Sequence, residues 1–284
     1  MKRFLSTVMA VTTLAIILSL VACSSCPSPK CETPASPYPV TKIIPVVNDY
    51  HGTKITDNYR WLEDASSEEV QAWTDAEEAY THSITDPLPQ RAWLESRFNA
   101  LWRYDDESIP QPVLDGERLF YRIKKKEDEK WVYMTKENES AEGMVVLNPN
   151  EWDDTETLGG FSPSRDGKYV AYGVAHGGDE NPVVQIMVTA TGELLPDTLR
   201  GWKQSVGAWM PGNEGFYYTC NPLEGEVPEG EHEYWHAAWY HKLGTEASED
   251  VMVFNDEEVK ETWHGVWLSE STEYTVYYRG LFNA

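Results

Sequence analysis

One phrase occurs four times beyond residue 110, and it limits the possible folds more than any other feature. Each copy is a turn feeding an aromatic-rich strand: Val113-Leu114-Asp115-Gly116-Glu117-Arg118-Leu119-Phe120-Tyr121, then Phe161-Ser162-Pro163-Ser164-Arg165-Asp166-Gly167-Lys168-Tyr169-Val170-Ala171-Tyr172, then Trp209-Met210-Pro211-Gly212-Asn213-Glu214-Gly215-Phe216-Tyr217-Tyr218, then Trp267-Leu268-Ser269-Glu270-Ser271-Thr272-Glu273-Tyr274-Thr275-Val276-Tyr277. Phe120 to Tyr169 is 49 residues, Tyr169 to Phe216 is 47, and Phe216 to Tyr274 is 58, the last interval holding an insertion at residues 221–233. A period near 50 with several short strands per unit is the pattern of propeller blades. A β-sandwich with evenly spaced hairpins would repeat hydrophobicity alone, whereas here a whole phrase repeats.

About three blades and the start of another fit between residue 110 and the end, and propellers usually close with about four to eight. The expected fold class is therefore mainly β, an incomplete propeller of three to four blades over residues 105–284, with open blade faces and unpaired edge strands. The twelve Trp and sixteen Tyr fall at strand spacing, which reads as blade core rather than a carbohydrate-binding surface. Cys220, inside Phe216-Tyr217-Tyr218-Thr219-Cys220, reads as a buried apolar thiol.

Residues 38–104 form a separate N-terminal helical segment, in which the helical period runs from residue 60 to about 103. Ser66-Ser67-Glu68-Glu69 fits a capping box with Ser66 as the cap, and Val70, Trp73, Ala76 and Tyr80 then form one apolar stripe. After Pro87 and Pro89, Leu94, Phe98 and Leu101 predict a second amphipathic helix.

The first residues address the chain. Lys2 and Arg3 precede an apolar run from Phe4 to Ala22, the n- and h-regions of a secretory signal. The run ends in Leu20-Val21-Ala22-Cys23, which resembles the lipobox of bacterial lipoproteins. That resemblance implies a signal peptide over 1–22, acylation of Cys23, and a membrane-anchored protein on the periplasmic or cell-surface side; a plain signal peptide or a single membrane anchor would export the chain equally. Residues 23–37 are rich in Pro and Ser and read as a tether. Cys26 and Cys31 within it are accessory thiols able to close a small disulfide. Forty-seven acidic against twenty-three basic residues give a formal charge of -24, which argues against nucleic acid as a partner.

Tyr38-Pro39, followed by Asp49-Tyr50-His51-Gly52-Thr53-Lys54-Ile55-Thr56-Asp57-Asn58-Tyr59-Arg60-Trp61-Leu62-Glu63-Asp64, closely resembles the N-terminal signature of prolyl oligopeptidases. Phe161 to Tyr172, Trp239 to Thr245 and Ser248 to Val251 are similar to segments of that family's seven-bladed propeller. The likeness runs from residue 38 to about 278, and Trp61-Leu62-Glu63-Asp64 favours prolyl oligopeptidase over oligopeptidase B. It implies a helical segment that packs on an α/β-hydrolase domain encoded after the propeller. It also implies a propeller that limits entry to short peptides cut after proline.

A serine nucleophile needs a tight elbow, a histidine base and an orienting carboxylate. Neither Gly-x-Ser-x-Gly nor the family's Gly-Gly-Ser-x-Gly-Gly occurs in this sequence. The chain is therefore expected to stop before the catalytic serine and to be inactive on peptides by itself, with no catalytic, cofactor or metal residue assigned. His51 and Asp64 are read as structural, and Cys23 is the one candidate site residue. The alternative is a stand-alone exported lipoprotein whose propeller-like surface binds a peptide or protein.

His232-Glu233-Tyr234-Trp235-His236 matches H-E-x-x-H, which on a helix would set two histidines on one face for zinc with the glutamate as base. The motif runs straight into the strand-like Ala238-Trp239-Tyr240-His241, and no third ligand stands out in a helical setting, so a blade insertion is the reading carried forward. Dinucleotide and Walker phrases are missing from the sequence.

Overall fold

A computed structural model describes residues 38–281. The expectations for Cys23, Cys26, Cys31 and the segments 1–22 and 23–37 lie outside these residues. Two compact units divide between Trp93 and Leu94.

The first unit opens with a hairpin, β1 (Val46–Tyr50) and β2 (Thr53–Asp57), in register from Val46 opposite Asp57 to Tyr50 opposite Thr53. His51 and Gly52 make its two-residue turn with φ of 54° and 85°, the left-handed pair that a tight hairpin requires. Helix α1 follows at Glu68–Thr85. Its cap is Ser67, whose hydroxyl accepts from the Val70 amide at 3.2 Å, one residue later than the capping-box reading placed it. The reason lies upstream: Asp64 Oδ1 accepts from both the Ser66 amide (3.2 Å) and the Ser66 hydroxyl (2.6 Å), so Ser66 is already committed. Val70 is buried and Trp73 and Tyr80 half-buried, while Ala76 on the expected stripe is exposed. Trp73 donates to Thr41 Oγ1 and Trp61 to the Lys42 carbonyl, each at 3.0 Å, and Tyr38 meets Tyr80 edge-on at 5.2 Å. Tyr38 and Trp61 of the signature, with Trp73 and Tyr80 of the helix, thus fasten residues 38–42 in place.

Helix α2 spans Gln90–Trp102. Leu94, Phe98 and Leu101 are 41%, 54% and 51% exposed, so the expected amphipathic stripe exists as a row but buries nothing. Among the described residues no helix is long and apolar enough to cross a membrane.

The second unit is a succession of antiparallel sheets, each a meander. The first combines β3 (Asp106–Glu107) and β4 (Gln111–Pro112), both paired to β5 (Leu119–Lys124), then β6 (Val132–Lys136) and β7 (Met144–Leu147). The second is β8 (Glu156–Pro163), β9 (Tyr169–His176) and β10 (Val183–Val188). The third is β11 (Trp202–Trp209), β12 (Gly215–Asn221), β13 (Ala237–Lys242) and β14 (Val251–Phe254), and the fourth is β15 (Thr262–Leu268) with β16 (Thr275–Leu281).

The four copies of the recurring phrase occupy equivalent hairpin turns in the four sheets, joining β4 to β5, β8 to β9, β11 to β12 and β15 to β16. Each is closed by the same hydrogen bond between residues five apart: Val113 N to Arg118 O, Ser164 N to Tyr169 O, Met210 N to Gly215 O, and Ser269 N to Tyr274 O, at 2.8–2.9 Å. Gly167, Gly212 with Asn213, and Thr272 supply the positive φ that lets three of the turns reverse so tightly.

The sheets stack by their faces. Along β9, Val170, Tyr172 and Val174 join Phe120, Leu147 and Met187 in one core, and the alternate Ala171 joins Ile186, Trp209, Phe216, Tyr218 and Trp239 in the next. A strand buried on both faces, flanked by like sheets, is the interior of a stacked-blade array.

Candidate functional site

The insertion between β12 and β13 shapes a groove of about 600 Å³ with the starts of β11 and β15; Lys203, Glu233, Tyr234, His236, Lys260 and Trp263 line it. A bulge in β11 sets one wall. Trp202 pairs with Asn221 and Ser205 with Thr219, leaving Lys203 and Gln204 opposite a single residue, and Lys203 takes φ 52°. Gln204 turns inward, accepting from the Val184 amide at 2.8 Å and donating to the Leu199 carbonyl at 2.9 Å, and Lys203 is left facing the groove.

Both lysines are neutralised locally, Lys203 by Glu233 at 2.8 Å and Lys260 by Glu231 at 2.7 Å; the Lys260 ammonium also lies 4.7 Å from the Tyr234 ring centroid. His236 is 4% exposed, and its Nδ1 accepts from the His264 amide at 2.9 Å. Burial and the neighbouring His264 push its pKa down to about 4, so the imidazole is neutral at physiological pH. His264 is shifted down as well, chiefly by burial. The groove therefore offers two satisfied ion pairs, the further carboxylates of Glu180 and Glu261, the half-exposed rings of Tyr234 and Trp263, and a neutral imidazole.

The H-E-x-x-H segment lies in this wall as a turn, not a helix. His232 packs on Trp202 with centroids 5.2 Å apart, His236 packs on Trp263 at 4.5 Å, and Trp235 between them takes φ 60°, so the two imidazoles address different neighbours. Among the described residues no group of three or more His, Cys, Asp or Glu is arranged to hold a metal ion.

His51 and Asp64 serve the backbone, His51 in the β1–β2 turn and Asp64 at the entry to α1. Cys220 is 2% exposed, and burial pushes its thiol up to about 12, which leaves it unreactive. Among the described residues no serine or cysteine side chain hydrogen-bonds a histidine; the histidine side-chain partners are carboxylates, backbone groups and the Thr262 hydroxyl.

One polar cluster escaped the sequence reading. His241 lies fully buried between two carboxylates, Nδ1 to Asp250 at 2.7 Å and Nε2 to Asp197 at 3.1 Å, with the Tyr218 hydroxyl donating to the other Asp250 oxygen at 2.6 Å. Burial alone would lower the histidine pKa, but the hydrogen bonds to Asp250 and Asp197 outweigh it and raise the value. Strand alternation in Ala237-Ala238-Trp239-Tyr240-His241 places His241 on the same inward side as Trp239, which was a legible signal. The cluster ties β12, β13, the start of β14 and the segment before β11, so its work is internal bracing.

The family profile described as prolyl oligopeptidase, N-terminal beta-propeller domain, matches residues 38–279. The chain belongs to the prolyl oligopeptidase family. It is 30% identical over 245 residues to the prolyl endopeptidase of Elizabethkingia meningoseptica, covering 84% of this chain and 34% of that one. To the dual function macrocyclase-peptidase of Galerina marginata it is 29% identical over 271 residues, covering 85% and 37%. Among solved structures, one from a mechanistic study of two prolyl endopeptidases superposes with a TM-score of 0.74 at 32% identity, covering 85% of this chain and 36% of that one. The chain thus spans about a third of the length of the prolyl oligopeptidases it matches, the third that holds their N-terminal propeller region.

Proposed function

We propose that this chain supplies the N-terminal helical segment and three to four blades of a seven-bladed propeller to a serine endopeptidase that cleaves short peptides after proline, the propeller restricting which peptides enter. The observation that carries the reading is the family match over residues 38–279, joined to the four identically closed turns that make each sheet a blade. The sequence supplies no serine elbow, so the chain alone binds or gates without cutting. Export and anchoring through acylated Cys23 complete the proposal, placing the propeller outside the cytoplasm.

The test is hydrolysis of a fluorogenic reporter peptide with proline before the scissile bond, by purified residues 23–284. No turnover is expected. Turnover abolished by a serine-directed inhibitor would overturn the assignment of chemistry to a separate domain. Reading the source genome beyond codon 284 in three frames tests whether a catalytic domain accompanies this region, with a serine-elbow phrase followed by an α/β-hydrolase pattern as the expected result and unrelated sequence as the refuting one.

A further inference from the structure

His236 lines the groove with only 4% of its surface exposed, its ring seated against Trp263. Its Nδ1 accepts from the His264 amide at 2.9 Å, so the hydrogen-bond network places the single proton of the neutral ring on Nε2. No group among the described residues accepts from that Nε2–H. The atom is not sealed in either: the enclosed side-chain polar atoms without a partner, among the described residues, are Thr189 Oγ1 and Asn221 Oδ1. Nε2 therefore keeps part of the small accessible area of an otherwise buried ring, and the opening it meets is the groove that the ring lines. The result is one fixed, unpartnered donor within reach of a ligand.

The charge around that donor is lopsided. Lys203 and Lys260 are held by Glu233 at 2.8 Å and Glu231 at 2.7 Å, so neither ammonium is free to take an anion. Glu180 and Glu261 also stand in the wall, both exposed, and neither enters an ion pair among the described residues; Glu261 acts on Lys260 only through space. An acceptor that meets Nε2–H must then be neutral, since a carboxylate would enter surplus negative charge. A cation carried by the same ligand would find two unpaired carboxylates, and the formal charge of -24 adds attraction of the same sign at long range. At about 600 Å³ the groove falls within the roughly 300–1,000 Å³ of small-ligand sites. A peptide carbonyl beside a lysine or arginine side chain combines the two features in one ligand.

We propose that the groove takes a peptide segment carrying a basic side chain, with a backbone carbonyl accepting from His236 Nε2–H and the basic group lying against Glu180 and Glu261. The choice of a peptide rests on the function proposed above; what is added is which peptides are preferred, not how they are cut.

Three capped tripeptides serve as probes: N-acetyl-Ala-Arg-Ala-amide and its norleucine and glutamate counterparts, titrated into the full chain at low ionic strength and followed by tryptophan fluorescence. The arginine peptide is expected to saturate and to bind about fivefold tighter than the norleucine peptide, with the glutamate peptide weakest and the differences shrinking as salt is added. Glu180→Gln combined with Glu261→Gln, both at exposed positions, should erase the arginine preference and leave the norleucine affinity unchanged. His236→Asn keeps an acceptor for the His264 amide on a shorter side chain and withdraws the groove donor, so it should weaken the arginine and norleucine peptides alike, by about fivefold. Should that variant fail to fold, the double glutamine variant and the peptide series still decide. Equal affinity for the arginine and norleucine peptides, tighter binding of the glutamate peptide, or an arginine preference that survives the double glutamine variant would overturn the proposal and leave peptide gating standing. No saturable binding of any of the three would overturn both.

Discussion

Arg165 grips Asp115 from 50 residues away, Nε to Oδ2 at 2.6 Å and Nη2 to Oδ1 at 3.0 Å, and the same Nη2 donates to the Glu270 carbonyl at 2.9 Å. These residues occupy the equivalent turns of the first, second and fourth sheets, and Asn213 on the third sheet's turn donates to Asp166 at 2.7 Å. The recurring phrase therefore builds more than four similar hairpins: its polar positions tie the hairpins to one another.

Asp115→Ala should destabilise the chain by about 2 kcal/mol, because it strands a guanidinium that is only 7% exposed. The cost stays below that of a fully buried pair since Asp115 is itself 41% exposed. Arg165→Lys should restore little, as an ammonium cannot span both carboxylate oxygens. Urea unfolding of the two single variants and the double variant checks this, with a coupling energy near zero counting against the pair.

His241 makes an alkaline prediction. Its pKa is raised in the folded chain above the ordinary value near 6.5, so its contribution is complete below about pH 6.5 and fades as pH rises through the folded value. His241→Ala leaves Asp197 and Asp250 buried without their shared cation and should cost about 3–5 kcal/mol. Thermal melts of the wild type across pH 6 to 9 should show a decline that a His241→Gln variant, permanently neutral, does not share.

The blades were legible because a turn closed between residues five apart accepts few side chains, and the strands it feeds at β9 and β12 are buried on both faces; both demands leave marks in sequence. The α1 stripe was legible only in part. Val70 and Tyr80 pack, but Ala76 does not, because residues 38–42 cover one side of the helix and not the whole stripe. Position of the cap was misread for a local reason, Asp64 reaching Ser66 first. The groove left no signal, since it depends on where a long insertion folds and on a bulge at Lys203 that no periodicity announces.

The insertion's H-E-x-x-H supports a chelation prediction. With its histidines turned to different rings and Glu233 half-exposed and paired to Lys203, a chelator should leave the melting temperature unchanged. Glu233→Gln should cost no more than about 1 kcal/mol, the worth of an exposed ion pair. A zinc-dependent rise in melting temperature, lost in a His236→Asn variant, would reinstate the metal reading.

Cys23 tests the address. Expressed in a bacterial host from the full sequence, the chain should sediment with membranes, and its first tryptic peptide should carry the mass of an acylated cysteine. Cys23→Ser should move it to the soluble exported fraction, with partial membrane retention at most from an uncleaved apolar run. A wild-type chain found soluble with a free thiol at position 23 would remove the anchor from the proposal.

Acid should open the molecule at His236. Its folded pKa of about 4 lies below the unfolded value near 6.5, so the neutral buried ring contributes fully above about pH 6.5, and that contribution is lost as pH falls toward 4. The difference corresponds to on the order of 3 kcal/mol. Protonation also sets a second donor where Nδ1 now accepts the His264 amide, so charge and hydrogen-bond loss arrive together. His236→Asn, with its side-chain oxygen placed to accept that same amide, should start less stable at neutral pH through the lost ring packing but unfold less steeply with acid between pH 6.5 and 4. An unchanged slope would assign the acid sensitivity to other groups.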